Sequence, residues 1–290
     1  MNETAPGAIP VITSLKELGP RYRVWLVDIW GVMHNGRRAF LRPLISTRAF
    51  REDGGIVVLL SNSPRPSATV QEQLRELGVP YDAYDATVTS GDLTRYELAK
   101  HNGARVVHLG PGRDQPIFDG LDVRLTDGND AELIVCTGLF DDETETPENY
   151  TAMLTAFAER KLPMICANPD HRVERGPKLI WCAGALAALY EKLGGKVVYA
   201  GKPYAPIYKL AFETITGLAG GTVPKEQILA IGDGINTDIK GAAGAGIDSV
   251  FVASGLHLPG VPGELDAAKL APLFAESKKR PIAAMRALAW

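Results

Sequence analysis

Short runs of consecutive apolar residues, each closing in a polar cluster, constrain this chain more than any other feature. Val24–Ile29, Ile56–Leu60 and Gln227–Ile231 do not alternate apolar with polar side chains. A strand of that kind buries both faces, the condition of a parallel sheet covered by helices. Helical patterns fill the intervals. One runs from Pro43 to about Asp53, where Gly54 and Gly55 stop it. Another starts at Pro66, carries Val70, Leu74 and Leu77 on one face and ends at Gly78. Proline in the first turn and glycine past the last are the expected boundary residues. A short helix is expected over Ser14–Leu18.

The same alternation continues along the chain. Strands are expected at Thr87–Ser90, Arg105–Leu109, Glu132–Thr137, Pro163–Ala167, Lys196–Ala200 and Ser249–Val252. Helices are expected at Asp92–His101, Glu148–Arg160, Trp181–Leu193, Ala205–Leu218 and Asn236–Ala245, and a mostly helical tail at Glu264–Trp290. Asp141–Asn149 is acidic and reads as a solvated loop entering a helix at Pro147, in preference to a metal loop. Strands alternating with helices along the chain imply an α/β fold, a parallel sheet with right-handed crossovers.

Composition limits the function classes. Of 290 residues, 46% are hydrophobic, enough for a core in one large or two modest domains. A net charge of -3 advertises no nucleic-acid face. Three cysteines (Cys136, Cys166, Cys182) form no C-x-x-C pair and read as buried free thiols in a reducing compartment. Met1–Pro10 shows no signal-peptide pattern, and no apolar run approaches the ~20 residues that span a bilayer. A cytoplasmic protein without membrane partners is the expectation.

Four strand ends carry polar side chains: Asp28, Ser61 with Asn62, Lys202, and Asp233 with Asp238. Taken singly, each has an ordinary alternative as a cap, a turn residue or a solvated charge. Together they differ, because an open α/β sheet binds ligands where parallel strands end. Carboxylate oxygens without histidine or cysteine suit Mg²⁺, which binds readily together with phosphate. Lysine supplies a point charge for phosphate, and serine with backbone N–H groups cradles its oxygens. A carboxylate such as Asp28 can itself attack phosphorus.

The set resembles the haloacid dehalogenase superfamily of phosphohydrolases. The matching stretches are Asp28-Ile29-Trp30-Gly31-Val32, Ser61-Asn62, Gly201-Lys202-Pro203 and Gly232-Asp233-Gly234-Ile235-Asn236-Thr237-Asp238. Asn168-Pro169-Asp170 and Gly184-Ala185-Leu186 are similar to the branch with p-nitrophenyl, phosphoglycolate and pyridoxal phosphatases (class IIA). That resemblance implies a Rossmann-like parallel-sheet core with an inserted α/β cap domain. Residues 1–103 and 198–290 would form the core and 104–197 the cap, with hinges near Gly103 and Gly194-Gly195. It further implies Asp28 as nucleophile and Mg²⁺ ligand, with the backbone carbonyl of Trp30 and Asp233 completing the protein ligands. Asp238 would orient waters around the metal. Ser61 and Asn62 would hold phosphoryl oxygens, Lys202 would neutralise charge, and Asn168 and Asp170 would face the substrate from the cap. The substrate would be a small phosphorylated metabolite. Caps commonly build oligomers in this branch, which leaves a homo-oligomer open.

The chain departs from this pattern at Trp30, where the family's phosphatases carry a second aspartate as general acid and base. An indole N–H donates but does not titrate. Three readings follow: a slow or specialised phosphatase, a phosphotransferase, or a phosphometabolite-binding sensor. His34, just beyond Trp30, is a candidate surrogate acid; the plainer alternative is a surface histidine.

Overall fold

The computed structural model describes residues 8–175, 178–253, 265, 267–275 and 279–290. In chain order the elements begin β1 (Val24–Val27), α1 (Leu41–Glu52), β2 (Ile56–Ser61), α2 (Ser67–Glu76), β3 (Ala86–Thr89) and α3 (Ser90–Leu98). Then come β4 (Ala104–Leu109), β5 (Val123–Thr126), β6 (Leu133–Cys136), α4 (Thr151–Glu159), β7 (Pro163–Cys166), β8 (Arg172–Arg175), β9 (Lys178–Trp181), α5 (Ala183–Lys192) and β10 (Lys196–Tyr199). The rest are α6 (Ala205–Ala219), β11 (Ile228–Gly232), α7 (Lys240–Ala245), β12 (Asp248–Val252), α8 (Ala267–Leu270) and β13 (Ala283–Met285). The chain divides into two compact units. The first comprises Met1–Ser61, Gln71–Val88 and Tyr208–Trp290; the second comprises Asn62–Val70 and Thr89–Ile207. No described helix is long and apolar enough to cross a membrane.

The first unit holds a six-stranded sheet in the order β13-β12-β11-β1-β2-β3. β1 runs parallel to both neighbours, with Val27 opposite Leu59 of β2 and Ile231 of β11. β1 and β11 are buried along their whole length, which is why their sequences carry no alternation. The chain builds outward through β2 and β3 on one side of β1, and through β12 and β13 on the other side of β11. The order therefore reverses between β1 and β11, and a reversal of this kind opens a crevice at the strand ends. Ile9, Ile239, Phe251, Leu270, Phe274 and Ala284 form one apolar cluster of this unit.

A second anchor of the first unit is aromatic. Trp25 stacks on Phe50 at 3.8 Å between ring centroids, and Trp290 meets both edge-on at 5.3 and 5.2 Å. The Trp290 backbone N–H donates to Ser46 Oγ and its indole N–H to Asp53 Oδ2, each at 3.1 Å. The last residue thus ties the chain end to α1.

The second unit holds a five-stranded parallel sheet, β10-β7-β6-β4-β5, and an antiparallel pair, β8-β9. Leu109, Ile134, Leu154, Met164, Leu186 and Tyr190 pack on one face of the sheet. Residues 104–197, expected as an insert, lie in this unit together with 62–70, 89–103 and 198–207, which the expectation gives to the core. All three cysteines are free and buried here, with Cys136 and Cys166 directly opposite across β6 and β7. Burial pushes the Cys136 thiol up to about 12 and raises Cys166 and Cys182 as well.

Several expectations are corrected. Trp181, expected in a helix, instead closes β9, its ring covered by the Arg172 guanidinium across the pair at 3.5 Å. The helix starts only at Ala183. The tail is not mostly helical: Ala283–Met285 forms β13 beside β12, a pairing that overrides the helix preference of alanine. Helical patterning over Asn236–Ala245 resolves into a π-helical turn at Ile235–Ile239 followed by α7. Asp142 is not a solvated loop residue. Its side chain is 8% exposed and pairs with Arg113 and Arg175. Burial raises its carboxyl, but the two arginines outweigh burial and hold it below the usual carboxylate range. Residues 1–7 of the leader reading and Glu264, the expected start of the tail helix, lie outside the described residues.

Two outcomes follow from this packing. Trp290→Ala lowers stability by roughly 2 kcal/mol, the scale of two aromatic pairings, read by denaturant unfolding. Native protein leaves all three thiols unmodified by an aromatic disulfide reagent at pH 8, and unfolding in guanidinium exposes all three, because buried neutral thiols are poor nucleophiles.

Candidate active site

The carboxylates at the crevice of the first unit are placed by backbone pairing. Asp28 follows β1, and its N–H donates to Ile231 O at 2.8 Å, continuing the β1–β11 ladder by one step. Asp233 follows β11 in the same way. The turn Gly232-Asp233-Gly234 leads into the π-helical turn, which carries Asp238 back under it. Gly234 N–H donates to Asp238 Oδ2 at 2.9 Å. One carboxylate oxygen from each of Asp28, Asp233 and Asp238 lies within 4.8 Å of the other two. The three residues are 8%, 9% and 6% exposed.

Three carboxylates that close, with little water, repel one another and lose hydration. A hard divalent cation relieves both, and the donor set is all oxygen, so these residues fit such an ion. The backbone beside them fits as well. Gly31 has φ +89°, and a Cβ there would lie 2.1 Å from Asp233 Oδ2. Only glycine lets the Trp30–Gly31 backbone approach Asp233 this closely.

Trp30 and His34 belong to the tight loop that follows. The Trp30 ring lies over Gly36 and meets the His34 ring edge-on at 5.1 Å between centroids. His34 is not a surface residue: it is 2% exposed. Its Nδ1 accepts from Gly36 N–H at 2.9 Å, which leaves the proton on Nε2. Burial pushes its pKa down to about 4, so the ring is neutral at pH 7. A neutral ring with one nitrogen committed to its own loop is a structural element of the flap. Ser61, 7% exposed, is the last residue of β2, on the other side of β1 from β11.

The second unit gathers a different set, from the turns after β7 and β10 and from the residues that follow β2 and β3. Asn168 Oδ1 accepts from Asp170 N–H at 3.0 Å, closing the turn after β7. Asn62 Nδ2 donates to Asp170 Oδ1 at 3.0 Å and to Lys202 O at 3.1 Å. Asn62 Oδ1 accepts from Lys202 N–H at 2.7 Å and from the Ser90 hydroxyl at 3.4 Å. Lys202 is 2% exposed. The Asn62 carboxamide, expected on a phosphoryl oxygen, is committed to Lys202, Asp170 and Ser90. Ser90 escaped the sequence reading, although it too follows a strand and opens a helix.

Family models, a solved structure and named relatives all resemble this chain. A haloacid dehalogenase-like hydrolase model matches residues 25–124, and an HAD-hydrolase-like model matches 199–273. A solved hydrolase of the haloacid dehalogenase-like family from Brucella suis 1330 is 46% identical. The match covers 96% of this chain and 100% of that one, with a TM-score of 0.86. The 5'-nucleotidase YutF of Bacillus subtilis is 25% identical over 238 residues, 81% of this chain and 88% of its own. An acid sugar phosphatase of Staphylococcus aureus is 25% identical over 249 residues, with the same two coverages, 81% and 88%.

Gly31→Ala tests the close approach. The added methyl meets Asp233 and a left-handed backbone at once, so stability falls by at least ~1 kcal/mol. Affinity for a divalent cation, measured by calorimetry, is expected to fall with it. A variant that binds the ion as the parent does would show that the Trp30–Gly31 backbone is not part of the metal cradle.

Proposed function

The chain belongs to the haloacid dehalogenase-like hydrolases, and from that premise we propose that it is a Mg²⁺-dependent phosphohydrolase of small phosphorylated metabolites, with Asp28 as nucleophile. The observation that carries the reading is the meeting of Asp28, Asp233 and Asp238 where the strand order reverses. In this proposal Asp28, Asp233 and the Trp30 carbonyl hold the ion, and Asp238 orients its surroundings. When bound, the ion neutralises charge on the phosphoryl group and on the attacking carboxylate.

The chemistry assigned to the chain's own residues is short. A carboxylate oxygen of Asp28 attacks phosphorus, and the bond from phosphorus to the substrate oxygen breaks, its electron pair leaving with that oxygen. Water then attacks the phosphorus of the aspartyl-phosphate, releasing phosphate and restoring Asp28. The Ser61 hydroxyl donates to a phosphoryl oxygen and Lys202 contributes positive charge. Asn168, Asp170 and the rest of 104–197 are assigned to substrate selection, as the cap. Sugar phosphates and nucleotides are the substrate classes in the names of the relatives, and they are the first to test.

Trp30 sets the character of this phosphatase. It supplies no titrating group, and His34 is held neutral in the flap, so the departing oxygen takes its proton from water. Loss of general acid–base help is worth ~10²–10⁴ in rate, least for leaving groups that need no proton. An aspartyl-phosphate without a base to activate water is also longer lived, which favours transfer to an acceptor alcohol as the second reading.

With Mg²⁺, the protein is expected to cleave p-nitrophenyl phosphate faster than an alkyl phosphate. Chelation and Asp28→Asn each bring turnover to background, and Trp30→Asp raises alkyl-ester turnover by up to ~10². If phosphate binds but neither ester is cleaved and no phosphoenzyme forms, the protein is a binder and the proposal is wrong.

A further inference from the structure

Asn62 holds one residue of the chain by both its backbone groups. Its oxygen faces Lys202 N–H at 2.7 Å and its nitrogen faces Lys202 O at 3.1 Å. An N–H can meet only the amide oxygen, so the orientation of the carboxamide is determined by its partners. This is the grip of one strand on the next, made by a side chain. Two contacts on one residue determine both its position and its rotation. The second hydrogen of Nδ2 goes to Asp170 Oδ1 at 3.0 Å, which brings the turn after β7 to the same point. Gly201 permits the arrangement. A Cβ there would lie 2.6 Å from Asn62 Oδ1 and 2.3 Å from Ser90 Oγ.

We propose that Asn62 is a positioning residue, which acts by fixing the Lys202 backbone against Asp170 and makes no side-chain contact with the phosphoryl group. The inference rests on the reading of Lys202 as the lysine that neutralises phosphate. The carboxamide has no donor left for a phosphoryl oxygen: both Nδ2 hydrogens are given to Asp170 and Lys202. An isolated asparagine facing an anion would keep at least one.

The chemistry of the pair predicts how each replacement behaves. Asn62→Ala removes both contacts to Lys202 and lets it drift; a misplacement of ~1 Å at a reacting group costs on the order of 10² in rate. Asn62→Asp keeps the acceptor for Lys202 N–H but sets a carboxylate oxygen against both Asp170 and Lys202 O. The exchange Asn62→Asp with Asp170→Asn restores the donor–acceptor pair between the two side chains and leaves the contact to Lys202 O unmade.

The test is a double-mutant cycle read on kcat for p-nitrophenyl phosphate and, independently of turnover, on affinity for inorganic phosphate with Mg²⁺. Asn62→Ala is expected to lower kcat by ~10². Added to Lys202→Ala, it costs no more than Lys202→Ala alone. The exchanged pair is expected to recover only part of the loss seen in Asn62→Asp at pH 7, because Lys202 O still faces an acceptor. Should Asn62→Ala fail to fold, Asn62→Ser, which keeps a donor and an acceptor at the position, carries the same cycle with Lys202→Ala. Additive losses in the cycle would mean direct phosphate contact and overturn the proposal. If the parent cleaves neither ester, the phosphatase reading falls while the phosphate-affinity cycle still decides the role of Asn62. A parent that also fails to bind phosphate overturns both.

Discussion

The parallel pairing of β1 with β11 is the contact on which the rest of the first unit depends. These strands are far apart in sequence and adjacent in the sheet, in a register that sets Val27 against Ile231. Just beyond it, Asp28 lies one residue past Val27 and Asp233 two past Ile231, so two ordinary strand-end aspartates come together at one sheet edge. The reversal of strand order at this pair keeps the crossover helices from closing over it. Asp238 arrives by a π-helical turn, a local widening of the helix that recurs at functional sites. The result is three acidic side chains gathered at one buried point, a donor set that fits a hard divalent cation.

The second unit solves a different problem. Its strand ends carry an amide, a carboxylate and a lysine, and the Asn62 carboxamide bonds to the last two. Because Asn62 follows the last residue of β2, the residue before it, Ser61, is anchored in the first unit's sheet. Small residues accompany each close approach. Gly184 leaves no room for a Cβ, which would fall 2.2 Å from Pro169 O, and Gly201 is packed as tightly. The Trp30 ring is received by Gly36 and His34 within its own loop.

Much of this was legible in the sequence, because burial on both faces leaves a signature that needs no partner to be read. Unbroken apolar runs located β1, β2 and β11, and the polar residues after them marked the edge at which Asp28, Ser61 and Asp233 end their strands. Those positions depend on local chain order alone. The failures share a cause. β13 is three residues of alanine and methionine, a strand only because β12 offers it a partner. β9 took Trp181 from the expected helix because β8 pairs with it. His34 appeared exposed because burial is set by neighbours that a one-dimensional pattern does not contain.

What the amino-acid order determined by itself was the class of fold, the location of the strand ends and the kind of atoms at each: carboxylate oxygens, a hydroxyl, an amide, an ammonium group. These follow from hydrophobic periodicity and residue chemistry, both properties of the local chain. Tertiary structure alone decided which of those atoms meet. It brought Asp238 under Asp233, placed His34 out of reach of solvent, and gave the Asn62 amide to Lys202 and Asp170. Distances between segments separated by a hundred residues or more are set by sheet register and packing, and a hydrogen bond or a metal cradle exists only once those distances are fixed.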